Sequence, residues 1–146
     1  MFRFLFIILI SIHSAYAAQH CVILQYHHFS DETPPITSIS PKQFDDQLDY
    51  LQHNNFKILP LRQVIHHLQN QLELPDKCIS LSIDDAYISI YQNAYPRLKK
   101  LGWSATVFVN TDAVDLGLKS TMSWQQMREM SLHGFSFENH SHSHLH

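Results

Sequence analysis

The 146-residue chain has no basic cluster: its ten Lys and Arg are scattered, and thirteen Asp and Glu leave a formal net charge of −3. That distribution offers nothing to nucleic acid or to an anionic membrane surface. There is no internal repeat, and no low-complexity linker apart from a His-rich end, so residues 18–146 read as one domain with a modest core. The single long apolar run, residues 4–12, is interrupted only by Ser11 and is too short to span a bilayer. Arg3 precedes it and Ala15-Tyr16-Ala17 follows, which makes residues 1–17 a secretory signal peptide. The mature chain then has no membrane span and is expected in the periplasm or outside the cell. Cysteine is scarce too. Cys21 and Cys78 alone remain, in what would be an oxidising compartment.

The chain is organised around Ile79-Ser80-Leu81-Ser82-Ile83-Asp84-Asp85. Ile79, Leu81 and Ile83 alternate with serines at the period of a strand with one apolar face. Strands exclude Asp, so two acids at the end of one need a reason. A helix cap uses only one Asp, and the second suffers like-charge repulsion unless a cation neutralises it.

Around this strand the chain alternates strand and helix. Val22-Ile23-Leu24-Gln25-Tyr26 reads as a strand ending at His27-His28, and residues 30–39 as a loop. Ser40-Pro41 opens a helix whose Phe44, Leu48 and Leu51 share a face. A brief strand at residues 56–59 and a helix carrying Leu61, Val64, Ile65 and Leu68 lead to the central strand. Beyond it, a stripe from Tyr87 to Leu101 predicts a helix, with Pro96 set to kink it and Gly102 to close it. Residues 103–109 read as a strand, Ser123-Trp124-Gln125-Gln126 as a capping box, and Phe135 and Phe137 as a last short strand. The order predicts an α/β fold with parallel strands and right-handed crossovers, open or rolled into a barrel. In such sheets the loops after the strands build the site. His27-His28, Asp84-Asp85, Asn110-Thr111-Asp112 and Asn139 to His144 therefore meet at one end. At the other end Cys21 and Cys78 each precede a strand, and they can form a disulfide if those strands are neighbours. The alternative is two buried free thiols.

A cation held by one carboxylate and two imidazoles is a common hydrolytic centre, because the fourth position is left for a water made acidic by the metal. A second carboxylate nearby can take the proton. In an extended segment His140, His142 and His144 would share a face, whereas in a helical turn only His140 and His144 would. Spacing leaves both arrangements open. Co²⁺ and Ni²⁺ suit such donors as well as Zn²⁺ does.

Ser82-Ile83-Asp84-Asp85-Ala86-Tyr87 with Asn139-His140-Ser141-His142-Ser143-His144 resembles the two motifs of the polysaccharide deacetylase family and its NodB homology domain. Ser123 to Phe135, and Tyr26-His27-His28 with its following loop, are similar to the family too. The opening is most like the branch that acts on poly-N-acetylglucosamine. The resemblance implies a distorted (β/α) barrel and zinc-dependent removal of N-acetyl groups from an amino-sugar polymer or peptidoglycan. It makes Asp84 the general base and Asp85, His140 and His144 the metal ligands. His27, His28 and Asp112 are left as substrate contacts, and His142 as a bystander or a substrate contact.

Two departures stand out. Ala86 occupies a position that is usually Gly, which requires a negative φ there. The family's later motifs, with a base-orienting Arg and a general-acid His, have no counterpart before residue 146. The expectation is an N-terminal portion of the barrel, truncated and with little turnover of its own. The competing readings are an inactive fragment and a periplasmic metal- or carbohydrate-binding module that uses the His-rich end. The sequence leaves the polymer and the oligomeric state open.

Overall fold

A computed structural model of the chain describes residues 20–144, so the expected signal segment 1–17 lies outside the described residues. Five parallel strands form the main sheet. These are β1 (Val22–Tyr26), β4 (Lys57–Ile58), β5 (Cys78–Asp84), β6 (Thr106–Val109) and β7 (Ser136–Asn139). Strand order is β1-β5-β6-β7, and β4 also pairs with β5. A two-stranded parallel pair, β2 (His28–Phe29) and β3 (Ser38–Ile39), stands beside it, with β3 inside the segment read from sequence as loop. Among the described residues no helix is long and apolar enough to cross a membrane.

β5 is the central strand, and all seven of its residues are buried. β1 pairs with it from Val22↔Ile79 to Tyr26↔Ile83. The opposite edge is shared: β4 holds Cys78 and Ile79, and β6 holds Ser82 to Asp84. That sharing explains why the strand expected over 103–109 is confined to Thr106–Val109. The first half of the β5 edge is already bonded to β4, so residues 103–105 have no ladder there to join.

Two of the helices start at the caps that the local chemistry predicts. α1 (Pro41–His53) opens on a complete capping box in which Ser40 Oγ accepts from Gln43 N–H at 3.0 Å and Gln43 Oε1 from Ser40 N–H at 3.1 Å. α5 (Trp124–Ser131) repeats the arrangement with Ser123 and Gln126. α2 (Leu61–Gln69) has no side-chain cap. The helix after β5 begins later than expected, because Tyr87 is held in an isolated bridge with Thr121. It then runs through a π-helical turn, Ile90–Ala94, into α3 (Tyr95–Leu101). Pro96 has no N–H to give to the turn before it, and the widened turn, with Tyr95 N–H bonded to Ile90 C=O, accommodates the gap. Gly102 closes α3 at φ 68°, as predicted.

Alternation sorts the sheet into two faces. Ile79, Leu81, Ile83, Val107 and Val109 point with Leu24, Tyr26 and Phe137 into one core, which Phe44, Leu48 and Leu51 of α1, Leu98 of α3 and Met127 and Met130 of α5 complete. Gln25, Ser80, Ser82, Asp84, Thr106 and Ser136 have the opposite parity, and Thr106 Oγ1 and Ser136 Oγ are hydrogen-bonded across the strands at 2.8 Å. α2 lies toward this second face, where Arg62 Nη2 pairs with Glu138 Oε1 at 2.9 Å. The fold is α/β, with the parallel strands and helices of an incomplete barrel.

Candidate metal centre

The ends of β1, β5, β6 and β7 meet at one rim, as the topology requires. Asp84 ends β5 on the polar face. Asp85 then breaks the strand at φ 62°, a left-handed conformation that Asp tolerates better than most residues. Simple alternation would have sent Asp85 to the apolar face beside Ile83. The special backbone position is thus Asp85 rather than Ala86, which is fully buried and outside the positive-φ region, as its side chain requires.

His140 and His144 face the same carboxylate. Asp85 Oδ1 lies 3.9 Å from His140 Nε2 and 3.5 Å from His144 Nε2, and the three donor atoms fall within 4.8 Å of one another. The two histidines are four residues apart, yet no helical turn joins them. A loop does so, with Ser141 at φ 68° and His144 at φ 51°. Two internal bonds shape it, from Ser141 N–H to Asn139 Oδ1 at 2.7 Å and from His144 N–H to Ser141 Oγ at 3.2 Å. Asp85 is 4% exposed and its Oδ1 has no hydrogen-bond partner. A buried, unpartnered carboxylate oxygen is unfavourable unless something cationic faces it. One carboxylate and two imidazoles converging on such an atom are the donor set of a divalent transition metal, so the residues present fit one.

Asp84 stands beside this cluster. Its Oδ2 accepts a hydrogen bond from the Gln25 side-chain amide, and His27 Nε2 is 3.8 Å from the same oxygen. Sequence reasoning passed over Gln25. The available signal was its spacing: Gln25 on β1 pairs with Ser82 on the face that carries Asp84, and His27 follows two residues later, just past the strand end. His28 lies against Tyr87, with ring centroids 3.6 Å apart. Burial lowers the His28 pKa, although the Asp85 charge opposes the shift. Burial chiefly, with the Asp85 charge and a hydrogen bond to it, pushes the Tyr87 hydroxyl up to about 12. Two cavities flank the rim and share His28 as a wall. One, of about 600 Å³, also takes in Gln25, His27 and Gln47, and the other, of about 560 Å³, Asp31, Tyr87 and Asn93.

Asp112 and His142, two of the expected substrate contacts, face each other. Asp112 belongs to α4 (Thr111–Asp115), and its Oδ1 is 3.8 Å from His142 Nε2. His142 Nδ1 is 2.9 Å from Thr111 Oγ1. The loop turns His142 toward α4, while His140 and His144 face Asp85. At the far end of the sheet, Cys21 and Cys78 form the expected disulfide. It is possible because β1 and β5 are adjacent and in register from Val22↔Ile79.

The partial α/β barrel thus brings paired carboxylates and two convergent histidines to one rim, and Asp85, His140 and His144 are a group that could hold a metal ion. The family model described as polysaccharide deacetylase matches residues 71–146, and the chain belongs to that family. Among curated relatives, it is 33% identical over 123 residues to YxkH of Bacillus subtilis (strain 168), a match covering 84% of this chain and 43% of that protein. It is 31% identical over 109 residues to a poly-beta-1,6-N-acetyl-D-glucosamine N-deacetylase of Staphylococcus aureus (strain MSSA476), covering 72% of this chain and 37% of the relative. The deacetylase PplD of Streptococcus pyogenes, solved in complex with acetate, superposes with a TM-score of 0.78 at 32% identity, covering 86% of this chain and 57% of PplD. IcaB from Ammonifex degensii gives 0.73 at 30% identity, with 80% and 51% covered. The chain spans less than half the length of these curated relatives.

Proposed function

We propose that the protein is a secreted, metal-dependent deacetylase that removes N-acetyl groups from an amino-sugar polymer such as poly-N-acetylglucosamine or peptidoglycan. The observation that carries this reading is the buried, unpartnered Oδ1 of Asp85 facing His140 and His144, with a second carboxylate, Asp84, one residue away. Asp85, His140 and His144 would hold the ion, Zn²⁺ or another divalent metal of similar preference such as Co²⁺ or Ni²⁺. When bound, such an ion supplies Lewis-acid polarisation of the amide carbonyl and an acidified water.

The chain's own residues do the rest. Asp84 acts as the general base. Gln25 engages its Oδ2, which leaves Oδ1, with no hydrogen bond among the described residues, to receive a proton. His27 stands near enough to feel the resulting change in charge. The His28–Tyr87 stack walls the site between the two cavities and offers a flat, half-buried surface to a sugar ring. The S. aureus relative is named for poly-beta-1,6-N-acetyl-D-glucosamine, and that polymer is our first substrate. Secretion is supported by the Cys21–Cys78 disulfide, which belongs to an oxidising compartment. A binding module built on the His-rich end would have no use for Asp84 at the end of a buried strand.

The test measures bound zinc and acetate release from N-acetylglucosamine oligomers. Wild type should bind one equivalent of zinc. Asp85→Ala should bind none, and Asp84→Asn should keep the metal but lose turnover by about 10²–10⁴-fold. Full zinc retention by both Asp85→Ala and His144→Ala would overturn the assignment.

A further inference from the structure

The metal centre has no use for His142, the middle histidine of the run, and its surroundings assign it another task. We propose that His142, Thr111 and Asp112 form a latch that holds the 140–144 loop in the shape that presents His140 and His144, an inference that rests on the metal-centre reading above. The loop needs an external hold. Ser141 and His144 sit in left-handed conformations that non-glycine residues adopt only when the surroundings impose them. The Asn139–Ser141 and Ser141–His144 bonds shape the loop internally but tie it to nothing else.

The external ties run to the end of β6 and the first turn of α4. His140 N–H donates to Val109 C=O at 3.0 Å, Thr111 N–H to Ser141 C=O at 3.4 Å, and Asp112 N–H to His142 C=O at 2.9 Å. The His142 ring adds side-chain contacts to the same turn, 2.9 Å to Thr111 Oγ1 and 3.8 Å to Asp112 Oδ1. A hydroxyl can donate or accept, so the Thr111 contact persists in either imidazole tautomer. The loop is therefore gripped from two sides, with His140 and His144 facing Asp85 and His142 facing α4. Groups behind the ligands of a metal site fix their orientation, and losing one typically weakens binding about 10–100-fold. His142 is a positioning residue for the metal rather than a ligand.

The test uses the full chain and two readouts: zinc affinity by competition with a chromophoric chelator, and amide hydrogen exchange at residues 140–144 in metal-free protein. His142→Ala should weaken zinc binding about tenfold, the low end for such groups because the ring is exposed. It should also speed exchange across the loop while leaving the thermal midpoint unchanged. Thr111→Val should shift both readouts in the same direction but by less, and the double variant should be no worse than His142→Ala alone, because His142→Ala already removes the Thr111 contact. His142→Asn, whose amide can take the place of Nδ1, should restore most of the affinity. Zinc binding and exchange in His142→Ala equal to wild type would overturn the latch. So would a loss in His142→Ala with none in Thr111→Val, which would make His142 a ligand. A wild type that binds no zinc would sink the metal-centre reading, and the exchange measurement would still decide the latch on its own.

Discussion

The two faces of the sheet are built from the same strands and do opposite jobs. On one, Ile79, Leu81 and Ile83 pack against Phe44, Leu48, Leu98 and Val107, all essentially inaccessible to water. On the other, one residue over, Ser80, Ser82 and Asp84 are just as buried but carry hydroxyls and a carboxylate. The first face gains free energy by removing apolar area from water, roughly 25 cal/mol per Å². The second gives that gain up, and it leaves polar atoms such as Ser80 Oγ without a partner. The comparison teaches where the fold keeps its stability and where it keeps its chemistry. They are separated by the pleat of a strand rather than by distance.

Substitutions that cross this divide should show it, and the largest effect belongs to the apolar face. Leu81→Ala, at 1% exposure, should destabilise by about 2–5 kcal/mol in urea unfolding. A loss below about 1 kcal/mol would mean that this face is not the main core. Next comes the disulfide that staples edge strand β1 to β5 at the end remote from the metal centre. Its cysteines are 57 residues apart, and the chain-entropy model puts the cost of removing the bridge at about 4 kcal/mol as an upper value. Reduction with unchanged stability would show that β1 is held by its ladder alone.

The polar face should respond in the other direction. Ser80→Ala removes a buried hydroxyl that has no partner, so it should be neutral or stabilising by up to about 1 kcal/mol. A loss of more than 1 kcal/mol would reveal a partner for that hydroxyl. The smallest expected effect is on the surface, where the Tyr91 hydroxyl donates to Glu129 Oε2 at 2.7 Å. That bond holds the Glu129 carboxyl below its ordinary 4.5 and raises the Tyr91 hydroxyl above 10.0. The contribution of Glu129 is present above its unfolded value and lost as pH falls through the lowered one. That of Tyr91 is present below 10.0 and lost as pH rises through the raised one. Tyr91→Phe should move the Glu129 titration, followed by carboxyl NMR, upward toward 4.5. No movement would assign the shift to Tyr95, whose hydroxyl is 3.3 Å from Glu129 Oε1.

What the sequence determined by itself is what depends on neighbours within about four residues. The Ile-Ser alternation of β5 announced one apolar and one polar face. Ser40-Pro41 and Ser123 with Gln126 marked the two helix starts. The Asp84-Asp85 pair and the 140–144 histidines stood out as residues with no structural reason to be there. Register was beyond that reach. Gln25 bonds Asp84 across 59 residues, and His142 meets Thr111 across 31. Such contacts exist only once parallel strands have chosen their partners, since a shift of one residue would turn each side chain to the other face. Division of the β5 edge between β4 and β6 likewise shortened a strand that local pattern extended. The left-handed turn at Asp85 was also a tertiary decision, because it is the meeting of β5 with the loop after β7 that places one carboxylate oxygen before two imidazoles.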